Sequence, residues 1–85
     1  MERLALFRKA LGACEPLRKT HPDPSVVDSV IAQIKYLISV ETGETKDRSR
    51  IPTLTLGVLA ARDIGELDEA VGKLLHDVSD EARRM

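Results

Sequence analysis

Aromatic side chains are nearly missing from this chain. Among 85 residues there is one phenylalanine, one tyrosine and no tryptophan, so the core must be aliphatic. Cysteine is almost absent as well. The lone Cys14 cannot form an internal disulfide, and with two scattered histidines it makes no zinc-ligand spacing, which fits a reducing cytoplasm. An excess of either charge is lacking too. Thirteen basic against fourteen acidic residues give a net charge of −1, which supplies no long-range field for capturing phosphate backbones and argues against nucleic acid as a partner. There is no long hydrophobic run. Met1 to Ala10 is interrupted by Glu2, Arg3, Arg8 and Lys9, so no signal or membrane segment is expected and the protein is read as cytoplasmic. No glycine-rich phosphate loop exists, since Gly43 and Gly57 stand alone.

What is present is the composition of a folded helical protein, 42% apolar and 32% charged. The length implies one domain over residues 1–85, burying roughly 60% of the surface of its unfolded chain. A core that small leaves little scope for a deep pocket, so function is expected on the outer surface, as binding rather than chemistry.

Apolar spacing predicts four helices. In the first, Leu4, Phe7, Leu11, Cys14 and Leu17 recur at three and four from Arg3 to about Lys19. Pro16 falls inside that stripe and predicts a kink, because Leu17 keeps the phase. His21-Pro22-Asp23-Pro24 forbids regular helix, since each proline pushes its predecessor toward extended conformations. Either Ser25 or Asp23 can then cap the second helix, the latter with Pro24 at the first helical position. Val27, Val30, Ile31, Ile34, Leu37 and Ile38 form its buried stripe, which should stop near Val40. From Glu41 to Arg50 the chain has no apolar residue, which predicts a long polar loop. A third, central helix is expected from Ile51 to Ile64-Gly65; its alternating start has no second strand to pair with, so a strand is rejected. A fourth runs from about Glu66 to Arg83 on Leu67, Val71, Leu74, Leu75, Val78 and Ala82. The expected fold class is therefore all-α, a small four-helix bundle.

No catalytic or metal site emerges, and no cofactor is expected. Cys14 with His21 and His76 is set aside because Cys14 lies on a buried stripe and His21 in a proline turn. Glu66, Asp68 and Glu69 read as dipole-complementing residues of a helix start rather than metal ligands. Two polar elements lack a structural reason. The Glu41–Arg50 stretch is long for a bundle connection, and Tyr36, off the main apolar phase, is expected half-exposed beside it. Tyrosine and arginine are favoured interface anchors, which singles out Tyr36 and Arg48.

An ordered set of residues resembles a known family. Gln33-x-x-Tyr36-x-x-Ser39-Val40, Asp47-Arg48-Ser49 and Leu54-Thr55-Leu56-Gly57-x-x-Ala60 resemble the immunity proteins that protect bacteria from type VI secretion NAD(P)+ glycohydrolase toxins, and His21-Pro22 is similar to the turn after their first helix. The resemblance covers roughly Arg8 to Val78; Pro16 and the tail after Val78 depart from it. It implies a non-enzymatic inhibitor that binds a cognate toxin in the cytoplasm and blocks dinucleotide access to the active site. A cleft of that kind presents positive groups, so Glu41, Glu44 and Asp47, together with Tyr36, Arg48 and Asp63, are expected to face the toxin. The alternatives are immunity to a different enzyme, such as an ADP-ribosyltransferase, and a small DNA-binding regulator, for which no clustered recognition helix exists. Self-association as a homodimer is left open.

Overall fold

The computed structural model describes residues 3–51 and 61–85. They form four α-helices, α1 (Arg3–Cys14), α2 (Pro24–Thr42), α3 (Ala61–Leu67) and α4 (Glu69–Ala82), with a 3-10 turn at Glu15–Arg18. No strand occurs among the described residues. Most of the expected third helix, including Leu54-Thr55-Leu56-Gly57-x-x-Ala60, lies outside them.

The first helix ends where a kink was expected. Pro16 cannot donate to the helical ladder, and the chain tightens into the 3-10 turn with this proline in its first residues. Leu17 remains buried, so the change of helix type preserves the direction of that side chain. The buried stripe of α1 is rotated from its expected position. Phe7 and Cys14 are fully buried, but Leu6 and Ala10 join them in the core while Leu4 and Leu11 are half-buried flanks. Ala10 carries too small a side chain to register as a stripe residue, although its size lets another helix approach.

Asp23, not Ser25, caps α2. Its carboxylate accepts the Ser25 N–H at 3.1 Å, and Pro24 occupies the first turn, where its missing donor costs nothing. The buried stripe of α2 is Val27, Val30, Ile31, Ile34, Leu37 and Val40, with Ile38 half-buried beside it. The helix runs two residues past Val40 and stops at Gly43, whose φ of 84° places it in the left-handed region that glycine enters without penalty.

The boundary between the last two helices falls later than expected. Gly65 sits inside α3, and the chain breaks instead at Asp68, which is extended and accepts the N–H groups of Ala70 and Val71 at 3.1 and 3.2 Å. The capping strength of aspartate outweighs the helix-weakening tendency of glycine at this junction. Leu67 therefore ends α3, and at 44% exposure it is outside the stripe that Val71, Leu75, Val78 and Ala82 bury. α1 packs on both α2 and α4, and α3 packs on α4. One continuous aliphatic core results, to which Ile64 is α3's buried contribution.

Candidate functional site

Tyr36 organises the stretch after α2. Its ring is half-buried against the core, its hydroxyl donates to the Asp47 carbonyl at 2.8 Å, and the Arg50 guanidinium stacks over the ring at 5.1 Å from the centroid. The loop is tied to the helix end at further points. Thr45 N–H donates to the Ser39 carbonyl at 3.2 Å, and Gly43 N–H donates to the Val40 carbonyl at 3.2 Å. Asp47 closes an Asx turn by accepting the Ser49 N–H at 2.9 Å, while its own N–H donates to Thr45 Oγ1 at 3.2 Å. The Ser49 hydroxyl and then its N–H hold the Asp47 carboxyl below the usual carboxylate range.

The six sequence-selected residues do not form one surface. Tyr36, Glu41, Glu44, Asp47 and Arg48 belong to the C-terminal half of α2 and the loop that follows it. Asp63 is exposed on α3 and shares a hollow with His21 and Pro22, which precede α2. Tyr36 lies thirteen residues after the Asp23 cap, about 20 Å along the helix, so Asp63 is separated from the loop. Within the loop patch the roles divide. Glu41 pairs with Arg3 at 3.2 Å, and Arg3 also reaches Glu81 at 3.3 Å, so one guanidinium ties α1 to α2 and α4. Glu44, Lys46 and Arg48 are exposed, and their side chains form no hydrogen bond or ion pair among the described residues. Arg50 was not singled out in the sequence; the signal for it was an arginine in a polar loop that follows a helix bearing the sole tyrosine.

The remaining polar groups do not converge on chemistry. Cys14 is fully buried, and burial pushes its thiol up to about 11, the opposite of a nucleophile's shift. His21 accepts the Asp23 N–H on Nδ1 at 2.9 Å, and Asp68 is occupied as a helix cap. No group of three histidine, cysteine or acidic residues able to hold a metal occurs among the described residues, and no helix there is long and apolar enough to cross a membrane.

The Tsi6 family model matches residues 2–84. The chain belongs to the Tsi6 family. It is thus an immunity protein of type VI secretion, whose counterpart is a cognate toxin. Neither the comparison with curated proteins nor that with solved structures returned a match. In this Tsi6-family chain, several residues that carry the resemblance shape the loop: Tyr36 with Asp47, Ser39 with Thr45, and Asp47 with Ser49.

Proposed function

We propose that this chain neutralises an NAD(P)+ glycohydrolase toxin by binding it stoichiometrically and covering its dinucleotide cleft, with no catalytic act of its own. The observation that carries the reading is the family match across residues 2–84. The loop supplies a physical basis for binding. Tyr36, Asp47 and Ser49 fix its backbone before any partner arrives, so little ordering entropy remains to be lost on association. Glu44 and Arg48 then project as contact groups, with the half-buried Tyr36 and the exposed Arg50 stacked over its ring as an anchor pair.

The deciding experiment mixes the purified chain with the toxin encoded beside it and follows NAD+ consumption. One equivalent should abolish turnover, and the chain alone should consume no dinucleotide. Protection at well below one equivalent, or a toxin that transfers ADP-ribose to a protein instead of hydrolysing NAD+, overturns the proposal.

A further inference from the structure

The charges around the loop cancel. Between Glu41 and Arg50 stand three acidic and three basic side chains, and two of the acids are already engaged, Glu41 by Arg3 and Asp47 by Ser49. This loop is a poor match for a uniformly positive cleft. The opposite end of α2 differs. Here His21, Pro22, Asp63, Glu66 and Leu67 line a hollow with no lysine or arginine among them, and Glu66 stands on the ridge between it and a neighbouring hollow that Arg62 and Lys73 line. His21 Nδ1 is occupied by the Asp23 N–H at 2.9 Å. The two carboxylates form no ion pair among the described residues.

Apolar and acidic side chains share the lining of the hollow. Leu67 is the one large hydrophobic residue exposed among the described residues, and Pro22 lies beside it. Leu67 is exposed because Asp68 ends the helix one residue later and reorients α4, taking Leu67 out of the buried stripe. An apolar spot flanked by two unneutralised carboxylates matches one kind of side chain, a long cationic one whose stem lies on the apolar surface while its head meets the acids. Isolated cations in water would gain little here, since both acids are solvated. A lysine or arginine already positioned by a protein surface avoids much of that ordering cost.

We propose that this hollow, at the far end of α2 from the Tyr36 loop, is a second contact with the toxin and receives a lysine or arginine from its surface. The inference rests on the proposed function, and names Asp63, Glu66 and Leu67 as determinants of partner choice. The loop supplies a preformed shape; the hollow supplies charge.

The test uses the full chain and the adjacent-gene toxin in titration calorimetry at two salt concentrations. The wild-type chain must bind first; absence of binding sinks the proposed function itself. Given binding, Asp63→Asn with Glu66→Gln should weaken affinity about tenfold or more and flatten its salt dependence. Leu67→Ser should weaken it with the salt dependence unchanged. Asp63 and Glu66 are exposed, so thermal melting of the acid variant should stay at the wild-type value; Leu67 is 44% exposed, so Leu67→Ser is titrated well below its own melting temperature, which separates lost contact from lost fold. Wild-type affinity in both variants, or sedimentation showing that the hollow joins two copies of this chain, overturns the inference.

Discussion

Ile34 is fully buried at the middle of α2, surrounded by a core without a single buried polar side chain among the described residues. A carboxylate there has no partner, and the penalty for an unpaired buried charge is on the order of 4 kcal/mol. A domain of this size has a total stability of roughly 4–13 kcal/mol. Ile34→Asp also forfeits the buried isoleucine's own contribution of about 2–5 kcal/mol, so it is expected to leave the chain unfolded or strongly destabilised, read as loss or a large downward shift of the cooperative transition in circular dichroism; a wild-type melting temperature would contradict this placement. Two exposed acids act in the opposite sense. Hydrogen bonds from Ser25, hydroxyl first and then N–H, hold Asp23 below the ordinary carboxylate range, as Ser49 does for Asp47. A depressed folded-state value means a contribution present above the unfolded value, about pH 4, and lost as pH falls through the folded one. Melting temperature should thus decline below about pH 4, and less steeply in an Asp23→Asn, Asp47→Asn double variant, whose amides keep an acceptor but do not titrate. An equal decline in both proteins would show that other carboxylates dominate.

Two glycines, one capping a helix and one inside a helix, give opposite expectations. Gly43 terminates α2 at a φ of 84°, where an added side chain meets no neighbour among the described residues but its backbone is strained. Gly43→Ala should cost about 1 kcal/mol. Gly65 lies within α3, and among the described residues a Cβ there would meet only the Gly72 Cα at an ordinary 3.8 Å. Gly65→Ala should accordingly stabilise by about 0.5–1 kcal/mol. Urea unfolding of the two variants checks both signs, and shifts in the same direction would refute one assignment. The same pair shows what sequence reading resolves at this scale. The stripe of α2 was legible because six large aliphatic residues repeat at helical spacing, whereas the α1 stripe was rotated because Ala10 contributes burial without bulk. The α3–α4 junction was misplaced because Gly65 was given more weight than the capping carboxylate of Asp68.

Over the whole molecule, the all-α class followed from periodicity, but the grouping of candidate residues did not. Tyr36 beside the polar loop was legible from its phase and its position near the helix end. That Asp63 belongs with His21, Pro22 and Leu67 was not, because only tertiary packing brings α3 to that end of α2. Similarly, nothing local announces that Arg3 joins Glu41 and Glu81 across 38 and 78 positions of sequence.

That long-range tie bears on when the molecule comes into being. Val71, Leu75, Val78 and Ala82 supply α4's share of the core, and Arg3 meets Glu81 near its end. A nascent chain still attached to the ribosome cannot complete this core until α4 has emerged. At ordinary elongation speeds the stretch from Arg3 to Ala82 alone takes about 4–16 s to make. A toxin that acts within such an interval meets no molecule made in response to it. Protection must then come from a standing stock of finished molecules, and its margin is set by synthesis and turnover before the attack rather than by a response to it.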